Sequence, residues 1–160
     1  RRNRATVERT SDVDLVVRRT FDAPVHIVYR AWTTPHLFMR WWAPKSMGVP
    51  MLACDMDVRT GGGYRVTFGE DEASAMTFFG RYVEVVPNAR LVWTNEESPD
   101  AGVTTVTFEE RDGKTFLVLH ERYPSKEALD EAIQGMECMP EQLDQLEDLL
   151  SMLGASAGAS

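Results

Sequence analysis

The side chains able to do chemistry are few, and their spacing excludes more than it assigns. His26, His36 and His120 stand at no i, i+3 or i+4 spacing, and Cys54 and Cys138 complete no recognisable ligand set, so no metal site is expected. No Ser-His-Asp or Cys-His order stands out, and no base is placed to activate a serine or cysteine, so no catalytic residue is assigned. Asp57 and Arg59 lie two residues apart on one strand face. They fit either an ion pair that steadies the strand before its glycine turn or a grip on a polar ligand group, and the ion pair is preferred. Gly61, Gly62 and Gly63 lack the strand-to-helix setting and the Lys-Ser/Thr of a phosphate cradle, and they read as a tight turn. His120 and Glu121 end the last strand, and one of the two faces the concave side. A buried His or Glu there could act as acid or base on a ligand carbonyl. A solvated strand end is the plainer reading of His120 and is preferred.

These side chains need elements to hold them. Alternation of apolar and polar residues predicts a strand over 13–20. Pro24 then opens a helix with Ile27, Val28, Ala31 and Trp32 on one face, and a second short helix spans 36–42. Six further strands are predicted over 51–59, 63–69, 75–86, 90–95, 102–111 and 114–123. Turn chemistry separates them, Asp112-Gly113 being the clearest hairpin signal. Gly80 inside its strand predicts a bulge or strong bend. Residues 125–153 form the longest helical pattern, with an apolar stripe through Leu129, Met136, Met139, Leu143, Leu146, Leu150 and Leu153. Ser125 caps it and Gly154 ends it. Gly135 and Pro140 predict a kink, with a cavity wall or mouth beside Met139.

The fold class is therefore α+β: a seven-stranded antiparallel meander, strongly bent around one long C-terminal helix, with two short helices after the first strand. One domain is expected over 12–153, with flexible tails at 1–11 and 154–160. At 43% hydrophobic and 26% charged residues, the composition is that of a globular protein. A net charge of −8 argues against nucleic-acid binding, which needs clustered cations. No apolar run approaches the roughly 20 residues of a membrane span, so no membrane insertion is expected. The start of the chain is arginine-rich without an apolar stretch behind it, and the expected location is cytoplasmic. The two cysteines are expected to be free thiols.

Several blocks together carry a resemblance. Arg19-Thr20-Phe21-Asp22-Ala23-Pro24 is followed by Ala31-Trp32-Thr33-Thr34-Pro35, then Trp41-Trp42 and Pro44. Cys54, Asp57, Arg59, Gly61, Gly62, Tyr64 and Arg65 form the next block. Gly80, Tyr82, Glu84, Val85, Pro87, Arg90, Leu91, Val92 and Thr94 continue it, and Pro124-Ser125-Lys126-Glu127 opens the last helix. In this order the blocks resemble the START/Bet v 1-like (SRPBCC) superfamily, in its branch related to the C-terminal domain of the Hsp90-ATPase activator. The chain departs from many relatives in carrying Cys138-Met139 where they have Gly-Trp.

The resemblance implies a helix-grip fold with a cavity between the sheet and the last helix. It implies a binding module for a small hydrophobic or amphipathic molecule. Two alternatives stand beside it: a cyclase- or dehydratase-like enzyme acting on a carbonyl compound in the same cavity, and a chaperone-linked interaction with an Hsp90-type partner, which is not favoured. Trp42, Tyr64, Phe79, Trp93, His120, Met139 and Leu143 are the candidate cavity-lining residues. No cofactor is implied, and a homodimer is left open.

Overall fold

The computed structural model describes residues 5–134 and 138–159, with side chains through Leu153. Eight strands form one antiparallel sheet: β1 (Thr6–Arg9), β2 (Asp14–Phe21), β3 (Met51–Met56), β4 (Gly63–Phe68), β5 (Met76–Val86), β6 (Arg90–Thr94), β7 (Val103–Arg111) and β8 (Lys114–Arg122). Their order across the sheet is β1-β2-β8-β7-β6-β5-β4-β3. The helices are α1 (Val25–Thr33), α2 (Pro35–Phe38), α3 (Lys126–Ala132) and α4 (Met139–Ala159). The α+β helix-grip expectation holds, with one strand more than the seven expected.

The additional strand is β1, within the segment expected to be a flexible tail. All four of its residues are exposed, and it pairs with β2 in the register Thr6↔Arg18 to Arg9↔Leu15. An edge strand with charges on both faces has no apolar periodicity to betray it, because its pairing rests on backbone hydrogen bonds. Arg18 and Glu8 add a cross-strand contact of 3.2 Å, and Arg9 reaches Asp130 of α3 at 2.7 Å.

The sheet curls where β5 changes partners. Its first half, through Arg81, pairs with β4, and its second half, from Tyr82, pairs with β6 with a register shift between Tyr82 and Glu84. Gly80 sits at this handover. A Cβ there would lie 1.9 Å from the Thr94 carbonyl oxygen, so only glycine lets the end of β6 approach so closely. Gly62 serves the preceding turn similarly, because a Cβ would meet the Asp57 carbonyl at 2.0 Å.

The C-terminal segment is two helices rather than one. Ser125 caps α3, its hydroxyl accepting from the Ala128 amide at 3.1 Å. Pro140 is the second residue of α4, where a missing amide hydrogen costs nothing, so it starts a helix instead of kinking one. The kink expected between Gly135 and Pro140 falls on a segment whose residues 135–137 lie outside the described residues. Gly154 does not end α4, which continues through Ala159.

The core lies between β2, β8, β7 and β6 on one side and α1 and α4 on the other. Leu15, Val17, Leu117, Leu119, Leu91 and Val106 from the sheet meet Val28, Ala31, Leu143, Leu146 and Leu150 from the helices. Arg19 points into this layer, 1% exposed at its side chain, and contacts Asp144 at 2.6 Å and Glu147 at 3.6 Å on α4. This pairing clamps β2 to the helix. Strands β3, β4 and the first half of β5 curl away from the packed layer, and a hollow remains beneath them.

Candidate functional site

The hollow is a cavity of about 500 Å³. Every other residue of β4 and β5 faces it: Tyr64, Val66 and Phe68 on one, Met76, Phe78 and Tyr82 on the other, as the two-residue repeat of a strand requires. Trp32 of α1, Phe38 of α2 and Trp42 form the floor, with Met139 and Gln142 of α4 beside them. Trp32 lies 6.4 Å from Phe38, 5.9 Å from Trp42 and 6.1 Å from Trp93 between ring centroids, so the floor is one aromatic cluster. Met47, Val49 and Met76 are exposed lining residues and mark the mouth.

One end of this apolar chamber is polar. Glu121 enters from β8 and Asn95 and Glu97 from the loop after β6. On the neighbouring strand Thr104 stands opposite Glu121 in register, and its hydroxyl donates to Glu121 Oε2 at 3.2 Å. The Tyr123 hydroxyl donates to the same oxygen at 3.2 Å. Burial pushes the Glu121 carboxyl up to about 7; these two hydrogen bonds resist the rise, and the negative charge of Glu97 adds to it. Burial also raises the Glu97 carboxyl, with a further push from Glu96, and its Oε2 is buried without a partner among the described residues. The Tyr64 hydroxyl bonds the Thr94 carbonyl at 2.7 Å and Asn95 Oδ1 at 3.0 Å. Its ionisation is driven far upward, first by burial and then by the charge of Glu97.

Four of the seven expected lining residues meet here: Trp42, Tyr64, Trp93 and Met139. Three do not. Phe79 faces the opposite side of β5 from Phe78, is 39% exposed, and has the Arg65 guanidinium 6.0 Å from its ring centre. His120 lies on the outer face of β8, its Nε2 2.8 Å from Asp14 Oδ1 on β2. Leu143 is fully buried in the helix–sheet core. Adjacent strand residues point to opposite faces, so each misplacement of Phe79 and His120 is a one-residue error of parity. Glu121, not His120, faces the concave side.

Glu97 was not singled out from the sequence. It lies in a polar segment, Asn95-Glu96-Glu97-Ser98, that reads as an ordinary turn, and no local signal marks it as inward. Asp57 and Arg59 lie beyond the end of β3, both exposed, with Arg59 Nε 2.8 Å from Asp57 Oδ2. The ion-pair reading of this motif fits that geometry, and the pair is no part of the cavity. Among the described residues no group of three or more His, Cys, Asp or Glu is placed to hold a metal ion. Cys54 and Cys138 are free. Among the described residues no helix is long and apolar enough to cross a membrane.

A curved antiparallel sheet closing a cavity under its last helix defines the helix-grip class. Within it, residues 22–151 match the family model described as Activator of Hsp90 ATPase homolog 1-like protein, and the chain belongs to that family. Among solved structures, a protein from Rhodobacter sphaeroides superposes with a TM-score of 0.83 at 24% identity, covering 93% of this chain and 99% of its own. One from Nitrosomonas europaea gives 0.79 at 23%, covering 92% and 99%. One from Mycobacterium smegmatis gives 0.79 at 22%, covering 93% and 99%. At these identities the likeness shows a shared fold. No curated protein matches the chain.

Proposed function

We propose that this protein binds a small hydrophobic or amphipathic molecule in the cavity between β3–β6 and the helices. The observation that carries this reading is the chamber itself, about 500 Å³ with apolar walls and a polar end built from Asn95, Glu97 and Glu121. That volume falls in the range of small-molecule sites, which are largely apolar with a few placed polar groups. A packed core of this size would have closed such a void, because each lining side chain loses contacts by leaving it open.

The test is native mass spectrometry of protein purified under non-denaturing conditions, beside a Val66→Trp variant whose indole intrudes into the chamber and obstructs it. The expected result is an additional mass on the wild type, lost on denaturation and absent from the variant. Repeated absence of any bound species from the wild type would overturn the reading.

One feature supports catalysis as a second reading. Glu121 is a titratable carboxyl inside the cavity, held at about 7 and placed to exchange a proton with a bound carbonyl compound. On this reading a bound carbonyl ligand is turned over by wild type and left unchanged by Glu121→Gln, which retains binding. The binding reading itself calls on no Hsp90-type partner.

A further inference from the structure

Hydrogen-bond donors at the polar end of the cavity are largely spent, whereas acceptors are not. Asn95 Nδ2 donates to the Gly102 carbonyl at 2.6 Å and to Thr104 at 3.1 Å, and the Tyr64 hydroxyl donates to Thr94 or Asn95. Gln142 Nε2 is taken by the Trp42 carbonyl. Of the two Glu121 oxygens, Oε2 receives both hydroxyls, and Oε1 has no donor among the described residues. Glu97 Oε2 is buried and has no partner among the described residues. Among the described residues no lysine, arginine or histidine lines the cavity.

A buried carboxylate without water or a cation is costly, and a molecule that brings a positive charge and N–H donors removes that cost. Three rings adjoin the same end. Tyr64, Tyr82 and Trp93 lie within 5.9 to 6.4 Å of one another between centroids, and such faces attract cations. An anionic amphiphile would meet two carboxylates and no counter-charge. A metal ion would find too few ligands among the described residues. Trp32 also lines the chamber at 1% exposure, and its indole N–H has no partner among the described residues, so an oxygen further along the ligand would complete the match.

We propose that the cavity selects hydrophobic amines, with the ammonium group held at Glu97 and Glu121 beside Tyr64 and Trp93 and the apolar portion extending toward the mouth. This inference rests on the ligand-binding reading above and adds to it the chemical class of the ligand. Charge pairing at the apolar-walled inner end of the pocket contributes most of the discrimination, while the walls accept any chain of suitable length.

The test uses decylamine, decanol and decanoate, one chain with three head groups, each titrated below micelle formation at pH 8. Calorimetry and the fluorescence of the lining tryptophans report binding. Decylamine should bind about tenfold or more tightly than decanol, and decanoate most weakly of the three. In the double variant Glu97→Gln/Glu121→Gln the ratio of amine to alcohol affinity should fall to about one. Decanol or decanoate binding as tightly as decylamine overturns the amine preference and leaves the ligand-binding reading standing. A preference for the amine that survives in the double variant overturns the assignment to these carboxylates. Saturable binding by none of the three overturns both readings.

Discussion

Replacing Glu121 by glutamine removes one charge from the cavity while keeping the side-chain size and an oxygen for Thr104 and Tyr123 to bond. Burial holds the carboxyl at about 7 against an ordinary 4.5. The gap between these two values, at ~1.4 kcal/mol per pH unit, makes ionisation cost about 3–4 kcal/mol more in the folded protein than in the unfolded chain. An acid raised in this way holds more protons folded than unfolded between its two values. Its contribution is therefore fully favourable below about pH 4.5 and declines as pH rises through about 7. Water entering by the mouth screens part of the charge, so ~2 kcal/mol is the expected loss at pH 8. Glu121→Gln escapes this loss. It should exceed wild type by ~2 kcal/mol at pH 8, a melting shift of roughly 4–8 °C for a chain of this size, and match it at pH 4.5. Urea unfolding followed by circular dichroism across that pH range measures the difference. A variant destabilised equally at both ends of the range would refute the reasoning, since it would make Glu121 a structural hydrogen-bond partner and not a strained charge.

Three further outcomes follow from the geometry. Gly80→Ala drives a Cβ to 1.9 Å from the Thr94 carbonyl, so β5 and β6 must separate, and urea unfolding should show a loss of about 2 kcal/mol or more; a change under ~0.5 kcal/mol would mean the strand end yields freely. Changing Asp144 and Glu147 together to alanine strands the Arg19 guanidinium in the core and should cost about 3–5 kcal/mol in the same assay. A loss below ~1 kcal/mol would show that water reaches Arg19. Burial, with the charge of Asp55, pushes the Cys54 thiol up to about 11, so in a Cys138→Ser background it should react with a disulfide reagent at pH 8 on the order of a hundredfold more slowly than an exposed thiol. Labelling at the rate of a free thiol would contradict this.

What could be read from the chain in advance was the part governed by local rules. Turn residues such as Asp112-Gly113 and Pro87-Asn88 punctuate the meander: Asn88 and Asp112 both adopt positive φ, which asparagine and aspartate tolerate better than most residues. The apolar stripe of α4 fits the concave surface, and Leu143, Leu146 and Leu150 are buried there. Burial of apolar surface favours turning large side chains inward, and Trp42, Tyr64, Trp93 and Met139 lie inward around one cavity.

The tertiary structure decided everything that depends on parity, on edges and on loops. In β8 both sides of the strand carry apolar residues, Phe116 and Val118 against Leu117 and Leu119, so alternation cannot say whether His120 or Glu121 turns inward. The pairing of β8 with Thr104 on one side and Leu15 on the other settles it for Glu121. In β5 the adjacent Phe78 and Phe79 pose the same ambiguity, resolved by the register with β4. Strand β1 is held by backbone bonds to β2, which side-chain patterning does not encode. Glu97 becomes a cavity residue because the loop after β6 brings it to the polar end, beside Glu121 of β8. Composition and periodicity act between neighbours in sequence, whereas the meeting of two carboxylates with an aromatic chamber comes from strands that are distant in the chain and adjacent in the sheet.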